Sequence, residues 1–234
     1  MSVKRVRSAE RTLAVIDALA AHQPIGVGAL ALLLDDDKSA VQRVLMTLAD
    51  CGWIQPTGTP TKWELSTHVL VLAEQTRGRH TLVRSVRPTM ESLRDETGET
   101  IVLAVRDGKR IAIIDVVEST QLVRTAPHVG MIIPADTTAG GQAILAALPD
   151  TERRALLGGP LDDRLTDELN QANRVGYTVN VRWSGSSSVG AAVVDATGSV
   201  LGSLAISAPA ERLPAALQRR YGKALAERCR QIAH

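Results

Sequence analysis

The chain has 234 residues, 44% hydrophobic and 22% charged, with a formal net charge of +2. That composition excludes a disordered chain and fits a folded protein of about two domains. A charge so near balance does not mark a nucleic-acid binder, so the placement of the charges has to decide.

In chain order, Ser8 opens a predicted helix whose Leu13, Ile16, Leu19 and Ala20 share a face, and His22-Gln23-Pro24 stops it. Val27–Leu34 follows as a short, nearly all-apolar segment, expected to pack on both sides within a three-helix core. Asp35-Asp36-Asp37 supplies N-cap candidates for a third helix, Lys38 to about Cys51. Val41, Val44, Leu45 and Leu48 form its apolar stripe, with Ser39, Gln42, Arg43 and Met46 on roughly the opposite side. Such a helix anchors with one face and presents groups suited to a DNA major groove: Gln pairs with adenine, Arg with guanine, and Ser or Lys with phosphate. A surface helix with an ordinary solvated face would carry the same residue types.

Gly52 closes this helix. Trp53-Ile54-Gln55 and Lys62-Trp63-Glu64-Leu65 read as two strands around the turn-rich Pro56–Pro60. Three helices and a hairpin predict a winged helix-turn-helix, with Lys62 as a phosphate contact and Lys4, Arg5, Arg7 and Arg11 as a basic flank. His68–Thr76 is helical in pattern, broken at Arg77-Gly78-Arg79-His80. Thr81–Glu96 is a second run, which Pro88 should kink or restart.

Beyond Thr97-Gly98 the period becomes that of strands. Ile101–Arg106 and Arg110–Val117 flank the turn signal Asp107-Gly108, and Leu122–Ala126 reads as a third strand. A helix begins near Thr138, two more end near Gly176, and strands are expected at Tyr177–Trp183, Val189–Asp195 and Val200–Ile206. A closing helix spans about Pro214–Ile232. The result is an α+β domain with helices on one side of its sheet.

These blocks are similar to those of the IclR family of bacterial transcription regulators. SAERTLAVIDAL (Ser8–Leu19), KSAVQRVLMTL (Lys38–Leu48) and Gly52-Trp53-Ile54 resemble its DNA-binding domain, although Thr61-Lys62-Trp63 lacks the glycine common in its wing. Thr97-Gly98-Glu99-Thr100, Asp115-Val116-Val117, Gly130 to Pro134 with Thr138-Ala139-Gly140, Arg174 to Tyr177, and Ile206 to Pro209 resemble its second domain. The resemblance covers residues 8–230. It implies a winged helix-turn-helix (1–66), a linker helix (67–80) and a GAF-like effector-binding domain (81–234). It further implies a homodimer or dimer of dimers on a palindromic double-stranded operator.

The DNA-binding residues expected are Lys38, Ser39, Gln42, Arg43, Lys62 and Arg11. The positions that match the family's effector pocket are Leu122, Thr125, Ala139, Gly140, Ser186, Ser188 and Ser207. Backbone N–H groups at the helix start near Thr138 favour an anionic group, and organic acids or aromatics are the family's usual effectors. Ser186-Ser187-Ser188 points to a ligand with polar oxygens. Gln142, where the family commonly has Lys, removes a positive charge near this block. Equally, the Gly and Ser residues simply permit tight turns and close packing.

No nucleophile elbow, P-loop, dinucleotide fingerprint or metal-ligand spacing occurs, so neither catalysis nor a cofactor is expected. Cys51 and Cys229 are far apart, no run reaches the ~18 apolar residues of a membrane span, and no signal-type core follows the basic start. A cytoplasmic protein without membrane contact is expected. The alternative is a small-molecule-binding protein whose winged helix contacts other proteins; a hydrolase is a distant third.

Overall fold

The computed structural model describes residues 6–77, 81–180 and 185–232. Contacts divide the chain into two compact units, Met1–Arg79 and His80–His234. Lys4 and Arg5, the 78–80 part of the expected break, and residues 181–183 of one expected strand lie outside the described residues.

The first unit contains α1 (Arg7–His22), α2 (Val27–Leu33), α3 (Lys38–Asp50), β1 (Ile54–Thr57), β2 (Lys62–Leu65) and α4 (His68–Arg77). β1 and β2 pair antiparallel from Ile54 opposite Leu65 to Thr57 opposite Lys62. A two-bond bridge between Ile25 and Trp63 ties this hairpin to the turn before α2. Gly52, at φ +76°, ends α3 in the left-handed region that glycine adopts without a Cβ clash. Val15, Leu19, Leu30, Val41, Leu45, Ile54 and Trp63 form the core. Two expectations need correcting. The buried face of α1 is Val15, Ala18 and Leu19, whereas Leu13 and Ala20 are exposed. Only Leu30 and Ala31 of α2 are buried, and Leu32 is 85% exposed. A seven-residue helix has two turns, so its single contact stripe leaves the other apolar residues outside.

The second unit runs α5 (Thr81–Thr97), β3 (Thr100–Asp107), β4 (Arg110–Val117), β5 (Ile132–Ile133), α6 (Ala139–Ala147), α7 (Asp150–Leu157), α8 (Asp163–Val175), β6 (Thr178–Asn180), β7 (Ser186–Val194), β8 (Val200–Pro209) and α9 (Ala215–Ile232). The sheet order is β5-β4-β3-β8-β7-β6, antiparallel throughout. Its helices cover both faces, not one. Ile101 and Leu103 of β3 pack with Val86, Met90 and Leu93 of α5 and Leu225 of α9. Val102 and Ala104, their alternating neighbours, pack with Ile144 of α6, Leu156 of α7 and Leu169 of α8. A strand covered on both faces reads as a continuous apolar run, as Ile101–Val105 does, and loses the one-sided alternation.

α5 passes through Pro88 unbroken. Pro88 and Arg84, whose carbonyl loses its helical partner there, are both on the exposed side, where water can bond that group. The expected strand at Leu122–Ala126 is absent; the chain runs irregularly from Glu118 to β5. No helix among the described residues is long and apolar enough to cross a membrane.

An ion pair beside the irregular segment helps to hold it. Glu99, 5% exposed, accepts two bonds from Arg212, at 2.6 and 2.7 Å, and Arg212 also donates to the Val123 carbonyl at 2.8 Å. Without Arg212 a buried carboxylate has no countercharge, and the partial exposure of the arginine moderates the loss. Arg212→Met should therefore lower stability by about 1–3 kcal/mol in urea unfolding. The Glu99→Gln/Arg212→Met double variant should recover part of that loss.

Candidate functional site

α3 is positioned by the acidic run that precedes it. Asp37 is its N-cap: the carboxylate accepts the Ala40 N–H at 3.0 Å and the Ser39 hydroxyl. Those bonds, the hydroxyl first, hold Asp37 below the usual carboxylate range. Asp36 accepts Arg11 Nε at 2.5 Å and Nη2 at 3.1 Å, which ties α1 to the start of α3 and lowers the Asp36 pKa. Arg11, expected as a phosphate contact, is thus engaged in holding α3. Lys38, Ser39 and Arg43 are exposed on α3 and Gln42 is half-buried beside them, so these four lie on successive turns of one helix. Lys62 is exposed at the start of β2. The buried side of α3 is Ala40, Val41, Leu45 and Leu48.

In the second unit a cavity of about 350 Å³ lies between the sheet and the start of α6. Thr138 caps α6, donating to the Pro134 carbonyl at 2.6 Å and accepting the Gly141 N–H at 3.2 Å. The Gln142 N–H closes the first turn on the Thr138 carbonyl, and Ala139 and Gly140 of that turn line the cavity. Close approach to the sheet requires glycine. A Cβ on Gly190 would lie 2.5 Å from the Ala139 carbonyl oxygen, and one on Gly141 would lie 2.6 Å from the Pro134 and Ala135 oxygens. The Thr178 hydroxyl fastens the same turn by donating to the Ala139 carbonyl at 2.7 Å.

The cavity has a polar end and an apolar end. Asn180, Ser188 and Ser207 stand opposite one another across β6, β7 and β8, forming one row that lines it. Ser186 lies two residues from Ser188 on the same face, whereas Ser187 points the other way and accepts from Gln218 of α9 at 3.1 Å. Thr125 donates to the Ser207 carbonyl at 3.1 Å, closing the irregular segment over this end. Val102, Ala104, Ile113, Met131 and Ile133 line the rest.

The structure therefore gathers Thr125, Ala139, Gly140, Ser186, Ser188 and Ser207 around one space. Leu122 is a correction. It is 99% exposed and outside the cavity, because the segment carrying it leaves the sheet and returns only at Thr125. Gln142 is another: its amide is buried, donates to Asp136 and Glu168, and does not line the cavity. The absence of Lys there consequently says nothing about charge at the ligand. Asn180 was missed by the sequence reading. Its alternation with Thr178 places both on one face of a strand, but its row with Ser188 and Ser207 depends on register.

Comparison with known proteins places these two units. The family model described as the IclR helix-turn-helix domain matches residues 8–58, and that described as bacterial transcriptional regulator IclR C-terminal matches residues 75–234. The chain belongs to the IclR family. HTH-type transcriptional regulator Rv1719 of Mycobacterium tuberculosis is 31% identical over 199 residues, covering 80% of this chain and 73% of the relative. The acetate operon repressor of Salmonella typhimurium is 26% identical over 227 residues, covering 89% and 82%. The crystal structure of an IclR transcriptional regulator from Alicyclobacillus acidocaldarius matches at TM-score 0.80 with 21% identity, covering 98% of both chains. That of Thermotoga maritima IclR matches at 0.76 with 20% identity, also over 98% of both. As an IclR-type protein the chain is a DNA-binding transcription regulator with a C-terminal effector-binding domain; the family consists of regulators, not enzymes.

The glycine contacts make this geometry testable. Gly190→Ala should push α6 off the sheet, lowering stability by about 1–3 kcal/mol in denaturant unfolding. The accompanying loss of small-ligand binding, read by calorimetry, should exceed that of a surface change such as Leu122→Ser, which should leave binding unchanged.

Proposed function

We propose that the cavity of the second unit takes a small organic acid, aliphatic or aromatic, and that occupancy alters the grip of the winged helix on its operator. The observation that carries this is the start of α6 opening on a cavity with one hydroxyl-lined end and one apolar end. The first-turn N–H groups of a helix have no partner within it, and together with the helix dipole they favour a carboxylate there. Ser188 and Ser207 supply hydrogen bonds to further oxygens, while Ile113, Met131 and Ile133 suit an apolar body. The volume is at the low end of the ~300–1,000 Å³ typical of ligand sites, which suits a small molecule.

On the DNA side, Lys38, Gln42 and Arg43 are the groups we assign to base edges and phosphates, with Lys62 on the wing and Ser39 limited by its bond to Asp37. Arg11 acts chiefly by positioning α3. A homodimer, or a dimer of dimers, would present two such helices to a palindromic operator. In this proposal residues 1–66 form the DNA-binding head, 67–80 a linker helix and 81–234 a GAF-like sensor, working in the cytoplasm. The effector acts only through a difference in its affinity for two arrangements of the heads.

Fluorescence anisotropy on duplex DNA from upstream of the gene, against a scrambled duplex across a salt series, tests the DNA half. Sequence-preferring binding that weakens with salt is expected. Arg43→Ala should cost about 1–3 kcal/mol of operator affinity; an unchanged affinity would remove α3 as the reader. For the sensor half, a carboxylate ligand found by screening should bind about two- to thirtyfold tighter than its primary amide. Ser188→Leu should abolish the ligand's effect on DNA while leaving ligand-free DNA binding intact. Equal binding of acid and amide would sink the assignment of the α6 terminus.

A further inference from the structure

The exposed face of α3 changes chemistry along its length. Its first two turns carry Lys38, Gln42 and Arg43, all able to donate hydrogen bonds. One turn on, Met46 stands four residues after Gln42 and three after Arg43, on the same face. It is 46% exposed and takes no part in the apolar cluster that α3 helps to build. A helical methionine leans toward the preceding turn, here that of Gln42 and Arg43. Thr47 beside it is exposed too, but its hydroxyl donates back to the Arg43 carbonyl at 2.9 Å. Asp50, the last residue of the helix, is an acceptor only. This stretch of the reading face therefore presents a base edge with an apolar surface and no free side-chain donor.

The major groove has one apolar feature, the C5 methyl group of thymine. An unbranched, polarizable thioether is well suited to pack on it. We infer that Met46 is a specificity-determining residue that reads a thymine methyl next to the base pairs taken by Gln42 and Arg43. This rests on the proposal that α3 lies in the major groove. The operator half-site then carries a thymine whose contribution comes from its methyl group and not from its hydrogen-bonding edge.

Deoxyuridine keeps that edge and lacks the methyl, so it isolates the contact. Full-length protein is used to select half-sites from random duplexes, and each thymine of the selected site is then replaced singly by deoxyuridine. At one thymine per half-site the replacement should weaken wild-type binding roughly three- to tenfold, the effect of withdrawing one methyl group from an apolar contact. Met46→Ala should bind thymine and deoxyuridine equally at that position, with an unchanged melting temperature because the side chain is outside the core. Selection of a site in which no thymine is methyl-sensitive overturns the inference alone, as does a methyl effect that persists in Met46→Ala. Failure to select any sequence overturns operator reading by α3 and this inference with it.

Discussion

The second unit depends on how closely the first turn of α6 sits against β7. At Gly190 the strand has no side chain, so the Ala139 carbonyl lies where a Cβ would be, and Thr178 bonds that carbonyl from the neighbouring strand. Gly141 allows the 134–135 backbone an equally close approach from the other side. The helix is thereby fixed with Ala139 and Gly140 of its first turn lining the cavity that Ser188 and Ser207 also line. Displacing the helix would uncouple the one strongly polar end of the cavity from its apolar lining.

The same economy governs the first unit. Three consecutive aspartates before the helix proposed to read DNA look unfavourable, since phosphate repels carboxylate. In the structure Asp36 is neutralised by Arg11, and Asp37 is bonded to the first turn of α3 by the Ser39 hydroxyl and the Ala40 N–H. These charges fix the start of the helix, and the cations Lys38 and Arg43 remain on its exposed face. Arg11 and Ser39 belong to this support, which is why residue type alone overstates their availability for DNA.

Elements with a strong local signal were legible in the sequence. The amphipathic stripe of α3, its aspartate cap, the glycine that ends it and the Asp107-Gly108 hairpin all act through neighbours a few residues apart. So does the start of α6 at Thr138. Six of the seven positions that the family resemblance singled out line the cavity, although most of its other lining residues were not singled out. Which faces of the short or two-sided elements are buried was not legible. α2 is too short for a periodic stripe to single out Leu30 and Ala31. β3 and β8 bury both faces, which removes the alternation that would have announced helices on each side.

The sequence by itself determined two units, a winged helix-turn-helix followed by an α+β domain, because capping, turn chemistry and hydrophobic period are local properties. Tertiary structure alone decided what shares a site. Register brought Asn180, Ser188 and Ser207 into one row, long-range ion pairing drew Arg11 to Asp36, and the path of an irregular segment put Leu122 in solvent. Pairings between residues far apart in sequence depend on the packed geometry of several elements at once, and no local pattern encodes that.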